Sequence, residues 1–155
     1  MNRYTSGLVA GLVATVVLSV LMLIKSAAGM LPGVNAIAML ANLGNQYLGL
    51  APSPGLGWTL HFLIGTVLWG LLFAAIRPAL PGGGDIGRGI VFSIGAWVLM
   101  MLIPMPLAGA GWFGLNIGMA APIATLVLHI VFGAVLGAAY SRLQSEAAVP
   151  VRSTG

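Results

Sequence analysis

The stretch LGWTLHFLIGTVLWGLLFAAI, residues 56–76, is apolar throughout and contains no charged side chain. About 20 predominantly apolar residues suffice for a helix to cross the hydrocarbon core of a bilayer. Residues 56–76 are therefore predicted to form a transmembrane helix, because a lipid-exposed backbone must satisfy its own hydrogen bonds. Three further segments have largely the same character. The four predicted transmembrane helices cover about residues 7–25, 56–76, 89–105 and 119–140.

The composition of the whole chain agrees with this prediction. Of its 155 residues, 59% are hydrophobic and 5% are charged, against about 25% charged residues in a typical soluble domain. This composition excludes a soluble globule, a disordered chain and a fibrous repeat. Cysteine is absent, so neither a disulfide nor a thiolate metal site can form. The sequence pI of about 10.4 arises from cations spread along the chain. It does not indicate nucleic-acid binding, because no basic run is present.

Lysine and arginine are distributed unevenly among the predicted loops. Only Lys25 lies on one side of the predicted helices, whereas all five arginines lie on the other: Arg3, Arg77, Arg88, Arg142 and Arg152. Because cytoplasmic loops are enriched in lysine and arginine, we expect both termini in the cytoplasm. The first segment also resembles a signal peptide, but its apolar run exceeds the usual 7–15 residues and Lys25 interrupts the approach to a cleavage site. We therefore expect it to be retained as a helix.

The segments between and after the predicted helices differ from one another in composition and in predicted structure. Residues 29–55 are predicted to form an outer segment with a short helix lying on the membrane interface. Residues 104–118 are rich in glycine and proline and nearly uncharged, which is typical of an interfacial turn or of a shallow re-entrant piece. Residues 141–155 are polar and are predicted to be a disordered cytoplasmic tail, so that the transmembrane domain covers residues 1–140.

An internal repeat relates the second and fourth predicted helices. Residues 60–68, LHFLIGTVL, match residues 128–136, LHIVFGAVL, at an offset of 68. A shorter match, between residues 20–22 and 98–100, has an offset of 78. Each unit contains a helix, an outer loop and a helix. The sequence thus predicts an all-α integral membrane fold of two tandem helical hairpins, related by a pseudo-twofold axis along the membrane normal.

Four stretches resemble an uncharacterised family of small four-helix bacterial inner-membrane proteins. They are VLSVLMLIKSAAGMLPGVNAIAML, GWTLHFLIGTVLWGLLFA, AWVLMMLIPMPLAGAGWFGLNIG and LVLHIVFGAVLGAAY, and they cover most of residues 7–140. The resemblance implies this topology and a multi-pass location in the bacterial inner membrane. It implies no activity. Family members often carry an acidic residue beside the proline after the first helix, whereas this chain has Val34 and Asn35 after Pro32 and Gly33.

His61 and His129 are the main candidates for function, because an ionisable residue inside a membrane helix is a functional hypothesis by default. Counted back from Arg77 and Arg142, both lie in the outer half of the membrane at similar depth. Three interpretations remain open. Each histidine can hydrogen-bond a neighbouring helix, the pair can ligate a b-type haem or a transition metal, or the pair can line a proton or solute path.

Two further sets of side chains suggest ligands. Thioethers favour Cu(I), so a copper site would use both histidines together with Met100, Met101 and Met105, although methionine is also ordinary filler in apolar bundles. Lys25 is a lone cation at the outer end of the first helix. Such a residue snorkels to the headgroups or contacts an anionic lipid or solute.

Small residues occur at regular intervals on the predicted helices. Close helix packing is predicted at the first-helix stripe and beside the two histidines: Gly7, Gly11, Thr15, Ser19, Gly65, Gly133 and Gly137. The stripe on the first helix suits internal packing better than a homodimer face. We expect the bilayer as the main partner, with a membrane protein or a second copy of the chain as a further one.

No catalytic set is recognisable in the sequence. Both carboxylates, Asp85 and Glu146, fall outside the predicted helices, and no hydrolase or dinucleotide motif occurs. The sequence therefore predicts a non-catalytic structural or accessory membrane module, with no cofactor assigned. The alternative is a haem- or metal-binding module based on His61 and His129, and the third is a small transporter or channel.

Overall fold

The fold, taken from a computed structural model that describes residues 1–147 and side chains as far as Ser145, is all helical over that range. Four helices are long and apolar enough to cross a membrane: Arg3–Ala27, Pro54–Ala79, Asp85–Leu107 and Ala120–Ser145. This confirms the prediction of an all-helical fold with four candidate transmembrane helices. Large apolar side chains lie exposed along all four, as expected where lipid is the solvent. The chain is thus a multi-pass membrane protein by the length and composition of its helices.

The first helix, α1 (Arg3–Ala27), begins at a polar capping residue. The side chain of Asn2 caps it by accepting a hydrogen bond from the Thr5 amide at 2.8 Å, since Asn is among the preferred N-caps. After α1, the outer segment contains α2 (Ala36–Leu48), capped by Asn35 and closed by Gly49 at a φ of 68°. The short helix predicted within residues 29–55 is therefore present, and it packs against the next helix.

The next long helix, α3 (Pro54–Ala79), changes its hydrogen-bonding pattern along its length. Residues Leu63–Trp69 form a π-helical segment, and Arg77–Ala79 form a final 3-10 turn. π-Helical turns are rare and occur often at functional sites. This one begins two residues after His61.

The bounds of the third predicted helix and the structure of the tail differ from the sequence prediction. Helix α4 (Asp85–Leu102) stops before Pro104, which disfavours helical backbone at Ile103, and a short helix α5 (Pro104–Leu107) follows. The last helix, α6 (Ala120–Ala147), continues past residue 140. The prediction of a disordered tail is thus wrong for residues 141–147, where Gln144 donates a hydrogen bond to Ser6 Oγ at 2.6 Å. Residues 148–155 lie outside the described residues.

The bundle is organised around two helix pairs. Helix α1 packs against α3, α4 packs against α6, and α1 also packs against α6. Aromatic side chains connect the pairs in the interior, where Phe73 of α3 makes edge contacts with Phe92 of α4 and Tyr140 of α6. Each end of the bundle is named by a charged residue. The Arg77 end contains the N-terminus of α1, and the Lys25 end contains its C-terminus.

Candidate functional site

Glycine brings the backbones of each helix pair into direct contact. A β-carbon at Gly7 would lie 2.5 Å from the Gly70 carbonyl oxygen of α3. In the second pair, a β-carbon at Gly89 would overlap the Gly133 carbonyl oxygen of α6. Small residues permit this approach.

The residues predicted for helix packing lie at these contacts. The whole stripe on α1 is buried within the single chain: Gly7, Gly11, Thr15 and Ser19. Gly65 faces Thr15, Gly133 faces Ser93, and Gly137 faces the backbone of Asp85. The stripe is therefore covered by α3, which leaves it inside the chain and away from any face open to a second copy.

His61 belongs to a chain of hydrogen bonds that crosses from α3 to α1. Its Nε2 lies 3.1 Å from Ser19 Oγ, and Ser19 donates its own proton to the Thr15 carbonyl at 2.7 Å. Because that hydroxyl proton is already donated, Ser19 Oγ accepts from His61. The hydrogen bonds thus assign the imidazole proton to Nε2, leaving Nδ1 with its lone pair.

His129 is held within its own helix. Its Nδ1 lies 2.8 Å from the Thr125 carbonyl oxygen. A carbonyl only accepts, so Nδ1 carries the proton and Nε2 keeps its lone pair. The bond across the second pair is made instead by Trp97 of α4, whose Nε1 donates to Thr125 Oγ1 at 3.1 Å.

Both histidines line one apolar cavity, named here the chamber, of about 180 Å³. It lies between the long helices and also receives the methionines Met22, Met39 and Met100. Met101 and Met105 are buried elsewhere and do not line the chamber. The structure therefore does not assemble the methionine set predicted for copper, since each helix turns its consecutive residues to different faces. No group of three or more His, Asp or Glu residues that could hold a metal occurs in the described part of the chain.

Lys25 lies at the Lys25 end, where its ammonium group is held by the backbone. It donates hydrogen bonds to the carbonyl oxygens of Val34 at 2.6 Å and Leu31 at 3.2 Å. Leu31 has a φ of 49°, a conformation that bulky residues rarely adopt. The ammonium group thus helps to fix a strained turn after α1, a structural role that the sequence did not indicate.

A second, larger cavity adjoins Lys25. This cavity, named here the vestibule, has a volume of about 630 Å³ and lies among the ends of α1, α2 and α3. Its polar lining comes from Lys25, Ser26, Asn35, Asn42 and Ser53. The vestibule and the chamber share the lining residues Met22, Ala36, Thr125 and Leu128, so the two cavities are adjacent.

The Arg77 end carries a compact charged cluster. Arg77 Nε donates to Asp85 Oδ1 at 2.6 Å, and Arg88 Nη1 lies 3.5 Å from the same oxygen. The Arg77 guanidinium also lies 5.1 Å from the centre of the Tyr140 ring. The cluster therefore ties the end of α3 to the start of α4 and to α6.

The two histidines were predictable from the sequence, but their hydrogen-bond partners were not. Thr125 precedes His129 by four residues, a spacing that places both on one helical face. Ser19 is 42 residues from His61. No local signal could have paired them.

Four long apolar helices joined by backbone-level glycine contacts define the protein as a small polytopic membrane bundle. A family model described as a family of unknown function, DUF6789, matches residues 1–151, and the chain belongs to this family. The match confirms the resemblance to a family without assigned function. The searches of curated proteins and of solved structures gave no match.

Proposed function

We propose that the chain is a non-catalytic structural or accessory module of the membrane. One observation carries this proposal: the polar side chains of the helices bond mainly to the bundle itself. Ser19 bonds Thr15, Thr15 bonds the Gly11 carbonyl, and Thr125 bonds the Ala121 carbonyl. Each of these hydroxyl protons is donated to a backbone carbonyl of the same helix. Side chains engaged in this way are poorly placed to act on a substrate as acid, base or nucleophile.

An accessory module has a partner, and the absence of native cysteine makes that partner accessible to experiment. Single cysteines carrying a photo-crosslinker would be placed at exposed positions on four helices: Leu23, Leu68, Leu99 and Ile123. We expect a protein adduct of one discrete mass from at least one position, either with a partner or with a second copy. Ala14→Cys is the matched control, because Ala14 is 0% exposed. Adducts with lipid only, at every exposed position, would contradict the proposal.

A cofactor module is the second candidate, favoured by the joint placement of His61 and His129 in the chamber. Each ring donates one N–H within the bundle, which is how metal-ligating histidines are usually oriented. The chamber, at about 180 Å³, is smaller than the roughly 300–1,000 Å³ typical of small-molecule sites. A haem would therefore require the bundle to open, whereas a metal ion would not.

An absorption spectrum and elemental analysis of the purified protein distinguish the two candidates. We expect colourless and metal-free protein. A Soret band that disappears in both His61→Gln and His129→Gln would instead favour the cofactor module, because the axial imidazole is lost in each variant.

The proposal includes a topology with both termini in the cytoplasm of a bacterial inner membrane. Its support is the arginine content of the Arg77 end, where Arg3, Arg77 and Arg88 lie, against Lys25 at the opposite end. Alkaline phosphatase fused after Gly155 should be inactive, since it folds only after export. An active fusion would contradict this topology.

We also propose that the α1/α3 and α4/α6 pairs are two copies of one repeated unit. The support is a pair of matching contacts, in which Gly65 faces Thr15 and Gly133 faces Ser93. Gly65 and Gly133 differ by the offset of 68, and Thr15 and Ser93 differ by 78, as in the sequence matches. Transport, suggested by the repeat, remains a prediction from the sequence.

A further inference from the structure

The vestibule and the chamber together form an elongated space of changing polarity. The vestibule, with its lysine, serine and asparagine side chains, lies at the Lys25 end. The adjoining chamber is lined mainly by aliphatic and aromatic side chains such as Leu18, Ile64 and Phe132. A ligand matching both parts has a polar head and an apolar tail.

Charge determines the sign of that head. Lys25 is partly buried, and its ammonium group bonds only to neutral carbonyls among the described residues. Asp85 begins α4 and Glu146 lies in the last turn of α6, so both acidic residues belong to the opposite end of the bundle. A partly buried charge is costly unless it is paired. The vestibule therefore favours an anion.

The fixed position of the ammonium group supports the same conclusion. Two of its three N–H groups are bonded to Leu31 and Val34, which leaves one donor available. A donor held in place loses little freedom when it binds a ligand. Lys25 is thus a preorganised cation at the wall of a cavity large enough for a headgroup.

The chamber limits how much of the tail can enter. An apolar cavity of about 150 Å³ accepts a six-carbon ring, so the chamber, at about 180 Å³, accommodates a tail end of roughly that size. The rest of an acyl chain lies in the vestibule and against its shared lining, at Met22 and Leu128.

We propose that the vestibule and the chamber bind an anionic acyl amphiphile, with its phosphate or carboxylate on Lys25 and its chain directed toward His61 and His129. This chemistry is common to an anionic phospholipid and to a free fatty acid. The proposal goes beyond the accessory role proposed above and does not depend on it.

Binding is measured by native mass spectrometry and by calorimetry on the full chain in a neutral detergent. The probes are palmitate and phosphatidylglycerol, with zwitterionic phosphatidylcholine of the same chains as the reference. We expect at least one anionic probe to bind at least tenfold more tightly than phosphatidylcholine. Palmitate alone would identify a fatty acid as the ligand, and phosphatidylglycerol would identify a lipid headgroup. Equal binding of all three probes would overturn the proposal.

Lys25→Gln tests the role of the charge, because glutamine retains an N–H donor for the turn but has no charge. We expect its affinity for the anionic probe to fall at least tenfold, with phosphatidylcholine unaffected, and Lys25→Arg to stay within about threefold of the unmodified chain. The matched control is Arg142→Gln, which removes an exposed cation at the opposite end and should leave binding unchanged. Undiminished binding by a folded Lys25→Gln would overturn the proposal. Should that variant not fold, the preference of the unmodified chain for anionic over zwitterionic probes decides the outcome.

Ala96→Ile tests the chamber, because Ala96 lines it from α4 and does not line the vestibule. We expect weaker binding of palmitate but unchanged binding of butyrate, because a four-carbon acid has almost no tail whose burial could be lost. Equal loss for both acids, or for neither, would contradict the placement of the tail.

Discussion

The α1/α3 and α4/α6 pairs share one type of backbone contact but differ in their polar side chains. Each pair places glycine against a carbonyl oxygen of the facing helix, at Gly7 in one pair and Gly89 in the other. Across the first pair, His61 donates to Ser19. Across the second pair, Trp97 donates to Thr125, and His129 bonds within α6.

This difference shows that the glycine contacts are common to both helix pairs, whereas the side-chain hydrogen bonds vary between them. Helices cannot approach to backbone contact unless particular positions lack a side chain, so the glycine positions are strictly constrained. A single hydrogen bond between membrane helices is weak, on average about 0.6 kcal/mol. Its donor and acceptor can therefore differ between pairs at little cost in stability.

The largest effect is expected from substitutions at the shared glycines. Gly89→Val places a side chain against the Gly133 carbonyl oxygen, and overpacking costs about 1–3 kcal/mol or more. Gly7→Val should lower the free energy of unfolding by a similar amount. Steric trapping in bicelles measures both.

Gly95→Val is the matched control for this experiment, because a β-carbon at Gly95 meets nothing within 4 Å. Its free energy of unfolding should change by no more than about 0.5 kcal/mol. A control as unstable as Gly89→Val would show that valine itself, and not the helix contact, is responsible.

A somewhat smaller effect is expected at the Arg77 end, where one ion pair joins the two helix pairs. Asp85→Asn removes the charge that Arg77 and Arg88 both contact. Hydrogen bonds to charged groups contribute roughly 1.5–3 kcal/mol. Because the arginines are partly exposed, we expect Asp85→Asn to lower the free energy of unfolding by about 1–2 kcal/mol.

A double-mutant cycle with Arg77→Gln isolates that interaction. The loss in the double variant should be smaller than the sum of the single losses, since the second change removes an already broken contact. Strict additivity would mean that the Arg77–Asp85 pair contributes nothing to the connection between the helix pairs.

The fold was largely predictable from the sequence, because lipid imposes a simple rule on it. Apolar length and the absence of charge suffice to locate four helices, and the small-residue stripe on α1 indicated which face is buried. The prediction failed at Ser141, where α6 continues although the residues become polar. There the helix is supported by a contact between Gln144 and Ser6, 138 residues apart.

The candidate site was predictable only in part, because its geometry depends on long-range contacts. His61 and His129 were identified by residue type, but their common chamber depends on how all four long helices pack. The π-helical segment at Leu63–Trp69 has no signature in hydropathy. The role of Lys25 depends on carbonyl groups, which a sequence does not distinguish.

Ser19→Ala should have a modest effect, limited to the first pair. It removes the acceptor for His61 Nε2 while leaving the contact of Gly65 with the Thr15 side chain intact. We expect a loss of about 0.6 kcal/mol in the free energy of unfolding. Thr125→Ala removes the corresponding acceptor of Trp97 and should cost a similar amount. A loss beyond about 2 kcal/mol in either variant would mean that side-chain hydrogen bonds contribute as much as the glycine contacts.

The smallest effect is expected from His129→Gln. Among the described residues, His129 bonds only within its own helix. Glutamine at position 129 should therefore change the free energy of unfolding by less than His61→Gln, in which the new side chain must still reach Ser19. Both variants should remain folded. If His129→Gln were instead the more damaging of the two in protein extracted with its native lipids, Nε2 of His129 would have a partner besides the hydrogen bond that its ring makes to Thr125. Repeating the measurement after delipidation would then identify that partner. Loss of the difference would place a lipid in the chamber, and persistence would place a contact there between the helices themselves.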